Sequence, residues 1–74
     1  MKFRVFTNDV GPNAYSCLMS LSAKDQNEAN RKARRIAGKL DCKAVALPES
    51  RRELWPDGQT GLLPAESKRL VVSY

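Results

Sequence analysis

Arg31, Lys32, Arg34, Arg35 and Lys39 crowd into one stretch, Ser22 to Leu40, which reads SAKDQNEANRKARRIAGKL. Such a cluster works by charge: guanidinium groups take carboxylates or phosphates in bidentate pairs, and ammonium groups meet them as point charges. Lys32, Arg35 and Lys39 recur at helical spacing and align as a basic ridge. The same residues also fit a solvated helix face on which Glu28 neutralises Lys32 one turn later. Arg51 and Arg52, with Lys68 and Arg69, flank an irregular stretch and would extend the ridge if the fold joined them to it. Trp55, the single tryptophan, stands beside a turn, where it either plugs the core or anchors a partner.

Other chemistries find little material. The chain has no histidine for proton transfer, no Gly-x-Ser-x-Gly elbow, no glycine-rich phosphate loop and no well-placed pair of carboxylates. Cys17 and Cys42, the two cysteines, have no histidine to activate them and cannot complete a four-ligand zinc site. A non-enzymatic protein without cofactor or metal is expected. Seventy-four residues give room for one domain and one core. The net charge of +5 favours anionic partners, although it also serves solubility. No apolar run approaches a membrane span and MKFRVFTND contains no long apolar segment, so a cytoplasmic protein with no membrane partner is expected.

The elements that must position these residues follow from pattern and punctuation. KFRVFT, residues 2–7, alternates as a strand with Phe3 and Val5 opposite Lys2, Arg4 and Phe6, and NDVGPN supplies a hairpin loop. YSCLMSL, residues 15–21, predicts a second, antiparallel strand with Tyr15, Cys17, Met19 and Leu21 on one face. Ser22 with Asp25 three residues on predicts the helix start, and Ala29, Ala33, Ile36, Ala37 and Leu40 form its apolar stripe. Gly38 marks fraying or a close approach, and Asp41 should lie outside the helix. KAVAL, residues 43–47, predicts a central strand ended by Pro48. Residues 48–67 read as a long irregular loop with one helical turn near Ser50 to Leu54 and a tight turn at residues 55–58, before a final strand from Arg69 to Tyr74. The expected fold is α+β: an antiparallel sheet of three to four strands in β-β-α-β-β order, one helix on one face and the other face open.

This layout resembles small phage-encoded anti-CRISPR proteins: a short N-terminal strand, a basic helix opening at Leu21-Ser22-Ala23-Lys24, then a strand and a C-terminal strand. The loop carrying Trp55 and Pro56 departs from it. The resemblance implies inhibition by occupancy, with a basic surface against an RNA-guided complex so that target DNA cannot enter. The expected function is therefore contact with a host protein or ribonucleoprotein through Arg31, Lys32, Arg34, Arg35 and Lys39, with direct DNA or RNA binding by the same helix as the competing reading. A subunit docking through its open sheet face is the third. Phe6, Tyr15 and Tyr74 lack the spacing of base-stacking aromatics in RNA-recognition sheets.

Overall fold

A computed structural model of the protein describes residues 1–9, 11 and 14–73. Val10, Pro12 and Asn13 of the expected hairpin loop, and Tyr74 of the expected last strand, lie outside the described residues. The elements are β1 (Lys2–Thr7), β2 (Ser16–Ser22), α1 (Gln26–Leu40), β3 (Ala44–Pro48), a 3-10 turn at Arg52–Leu54 and α2 (Ala65–Lys68). The strands form one antiparallel sheet in the order β2-β1-β3, so β1, not β3, is central.

Alternation along β1 feeds two cores. Phe3 and Val5 point to the α1 side, where they meet Ala29, Ala33, Ala37, Ala44 and Ala46. The helix residues on this side are alanines, each 0% exposed, so the helix backbone lies close to the sheet. Ile36 is partly buried against the same cluster, whereas Leu40, expected in the stripe, is 39% exposed. Phe6 points the other way, to a second cluster with Val45, Leu47, Leu54 and Leu63, edged by Tyr15, Trp55, Leu70 and Val71. The sheet face expected to be open is therefore covered over β1 and β3 by residues from the C-terminal half of the chain. A face carrying Phe6, Val45 and Leu47 cannot face water cheaply, and the irregular segment supplies what buries it.

The helix begins three residues later than its sequence suggests. Ser22 is still in β2, opposite Lys2, and the cap is Asp25, whose Oδ1 accepts from the Glu28 amide at 2.9 Å. Asp41 ends α1 in the left-handed region at φ 53° and its N–H donates to the Ala37 carbonyl. Aspartate tolerates that backbone better than branched residues do. In β2 the alternation breaks: Met19 lies opposite Val5 but Cys17 lies opposite Phe6, with Leu18 as the extra residue. Met19 and Leu21 thus share the α1 side, while Cys17 belongs to the other face rather than to theirs.

Among the described residues, no fourth strand completes the sheet. Only Val72 of the C-terminal segment pairs, exchanging hydrogen bonds of 3.0 and 2.8 Å with Ala44. The rest of β3's outer edge is closed piecemeal. Gln26 Nε2 donates to the Ala46 carbonyl at 2.8 Å. Pro48 has no amide to offer, and its carbonyl accepts from Arg51 N at 3.1 Å and Trp55 Nε1 at 3.3 Å. The expected long loop contains the 3-10 turn and most of α2, and its tight turn falls at Asp57 to Leu62, where Asp57 N donates to the Leu62 carbonyl at 2.9 Å. Buried Ser67 fastens α2 by donating its hydroxyl to the Leu54 carbonyl.

Gly61 joins this second layer to the hairpin. Its φ is +73°, its carbonyl accepts from Tyr15 N at 2.8 Å, and a Cβ there would stand 2.9 Å from Ala14 Cβ and 3.0 Å from Tyr15 N. At Gly58 a Cβ would meet nothing within 4 Å. Gly61→Ala is expected to destabilise the fold by about 2 kcal/mol or more, and Gly58→Ala to stay within about 0.5 kcal/mol of wild type. Paired urea melts measure both, and equal midpoints for the two variants would contradict this account of the contact.

Candidate functional site

Because α1 gives its inward face to alanine, its charges are all outward. Arg31, Lys32, Arg34, Arg35 and Lys39 are exposed. The structure divides them into two groups. Lys32, Arg35 and Lys39 lie on the side toward β2 and rim a groove of about 290 Å³ that Met19, Leu21 and Ile36 also line. Arg31 and Arg34 do not line it. Of the apolar floor, Met19 on the edge strand is exposed, at 45%, and Leu21 and Ile36 are half-buried.

Lys32 is committed within the fold. Its Nζ donates to the Ser22 carbonyl at 2.7 Å and stands 3.6 Å from the Glu28 carboxylate, so the Glu28 to Lys32 pair expected from spacing forms. An exposed pair of this kind contributes about 0.3–0.5 kcal/mol. Among the described residues, Arg31, Arg34, Arg35 and Lys39 enter no ion pair. Two cations without an ion pair, Arg35 and Lys39, therefore stand beside an apolar floor whose exposed member is Met19.

Arg51, Arg52 and Trp55 do not join this surface. They belong to the layer on the opposite side of the sheet, with the Leu54 and Leu63 cluster. Arg51 pairs with Glu53, and that hydrogen bond holds the Arg51 guanidinium more firmly protonated and the Glu53 carboxyl below its usual range. Trp55 packs at the rim of the second core with its ring centroid 5.7 Å from that of Phe6. The guanidinium carbons of Arg4 and Arg52 stand over the indole at 5.1 and 5.4 Å. Of the two roles open to Trp55 in the sequence, the packing one accounts for these contacts. Tyr15 and Phe6 are likewise spent on the second core.

The cysteines are free, with Cys17 exposed and Cys42 half-buried. Burial pushes the Cys42 thiol up, and the charges of Asp9 and Asp41 add to the effect, which is the reverse of what a nucleophile needs. Among the described residues no three His, Cys, Asp or Glu side chains gather as metal ligands. No helix among them is long and apolar enough to cross a membrane.

Sequence spacing located the ridge but missed Met19, Leu21 and Ile36 as its floor. The available signal was the uncharged run SCLMSLS, and its meaning depends on pairing at one edge only. Compared with models of known families, with curated proteins and with solved structures, the chain matches none.

Trp55 and the helix cations should separate cleanly in stability measurements. Trp55→Ala is expected to cost about 2 kcal/mol, less than for a fully buried indole, whereas Arg34→Ala and Lys39→Ala should each stay within about 0.5 kcal/mol. Denaturant melts followed by circular dichroism check this, and a Trp55→Ala protein as stable as wild type would remove the packing role.

Proposed function

We propose that this protein is a non-enzymatic binding module that meets an acidic surface of a partner protein or ribonucleoprotein with the β2 side of α1. One observation carries the reading: an apolar floor of exposed Met19 and half-buried Leu21 and Ile36, rimmed by Lys32, Arg35 and Lys39. Apolar area flanked by fixed charge suits a protein partner, since binding to a bare polyanion needs the charge and gains little from the floor. Inhibition by occupancy, which the anti-CRISPR resemblance implies, requires nothing more than such a surface.

Direct binding of DNA or RNA is the competing reading, favoured by Arg31 and Arg34, which carry unpaired charge away from the groove. Affinity capture from the native host with and without nuclease, using wild type, Arg35→Glu with Lys39→Glu, and Arg31→Glu with Arg34→Glu, separates the two. The expected result is a stoichiometric, nuclease-resistant partner lost at least about tenfold by the first pair of reversals, as follows from charge-assisted contacts of about 1.5–3 kcal/mol each, and retained by the second. Recovery of nuclease-sensitive material alone, weakened equally by both pairs and steeply by salt, would replace this reading with direct nucleic-acid binding.

A further inference from the structure

We infer that the outer edge of β2 accepts an extended, acidic segment of the partner as a fourth strand, an inference that rests on the binding surface proposed above and names its mode. The two edges of the sheet are treated differently. That of β3 is closed by Val72, Gln26, Pro48 and Trp55. That of β2, among the described residues, is left open except at the Ser22 carbonyl: its sequence, SCLMSLS, holds no charge and no proline, the usual guards of an edge strand.

The ladder's phase shows what this edge offers. Ala23 N donates to the Met1 carbonyl and Glu49 N to the Lys2 carbonyl, both at 2.9 Å, so Lys2 aims its backbone groups at β3 and its partner Ser22 aims its own outward. Two residues back, Ser20, opposite Arg4, does the same. The Ser22 carbonyl is taken by Lys32 Nζ at 2.7 Å. The amide and carbonyl of Ser20 meet no partner among the described residues. Irregularity in the ladder falls between Val5 and Phe6, opposite Leu18, which leaves Met19 to Ser22 regularly paired.

A strand added here would lay alternate side chains on the α1 side, next to Met19 and Leu21 and beneath Arg35 and Lys39. The chemistry that fits is an apolar residue on the floor with carboxylates two positions away on the same face. A second copy fits badly. Antiparallel pairing of β2 with itself runs about a two-fold axis perpendicular to the sheet, which sets both helices on one side with their Arg35 and Lys39 ridges facing each other. Charge thus selects an acidic segment over self-association.

The test is selection of a displayed library of random unstructured peptides on the wild-type protein, followed by affinity measurement of the winners. Enrichment of aspartate or glutamate two positions from an apolar residue is expected, which puts both on one face of the added strand. Ser20→Pro removes only an outward amide, so the β1 to β2 ladder is kept. It should weaken the selected peptides about tenfold, the worth of one or two lost backbone hydrogen bonds. N-methylation of alternate peptide amides should do the same without touching the protein's fold, and the bound peptide should slow exchange of the Ser20 amide. Peptides that tolerate Ser20→Pro and N-methylation yet are lost with Arg35→Glu and Lys39→Glu would overturn strand addition while leaving the basic surface standing. Winners without acidic enrichment that also ignore those reversals would overturn both. Concentration-dependent dimerisation in sedimentation, abolished by Ser20→Pro, would overturn the choice of occupant.

Discussion

The position of β1 between its two neighbours is the constraint on which the other elements depend. As the central strand it carries Phe3 and Val5 into one core and Phe6 into the other. A chain this short buries a modest share of its surface and cannot leave either of those faces in water. Both layers follow from that. On one side an alanine stripe brings α1 close enough to cover Phe3 and Val5 with little bulk. On the other, a segment with little regular structure supplies Leu54, Leu63, Leu70, Val71 and the half-buried indole of Trp55.

The candidate surface is a by-product of the same economy. A helix that packs through alanines has a narrow inward stripe, so the residues flanking it stand at the boundary between core and solvent rather than inside it. Ile36 and Lys32 occupy that boundary beside β2, and the short edge strand leaves Met19 and Leu21 in view next to them. The apolar floor is thus the margin of the first core, and the ridge borders it.

Much of this was legible in the sequence, and the failures have separate physical causes. The first two strands, the helix and its outward cations follow from periodicity, and the third strand from a short apolar run ended by Pro48. Ser22 and Asp25 each stand three residues before an acid, so local pattern could not choose between them; pairing of Ser22 with Lys2 decided it. The apparent alternation from Tyr15 to Leu21 concealed a bulge, because an extra residue changes the face without changing the pattern. RLVVSY has the composition of a strand, yet Leu70 and Val71 are used to cover the second core and, among the described residues, Val72 alone reaches the sheet. Strand propensity records fitness for a half-buried surface, which these residues occupy without a ladder. The floor of the groove was invisible because it depends on strand order, which periodicity does not contain.

The order of the sheet also sets an order of events during synthesis. β1 precedes its partners in the chain and can pair early with β2, but its other edge waits for β3, and its second face waits longer still for Leu54 and Leu63. Until those arrive, the nascent chain shows an apolar hairpin and a helix rich in positive charge. Closure is completed by Val72, next to the last described residue, through its bonds to Ala44. The bonds that tie Glu49 to Lys2 and Tyr15 to Gly61 join residues far apart in the chain, so the second layer settles only once these slow, non-local contacts are made.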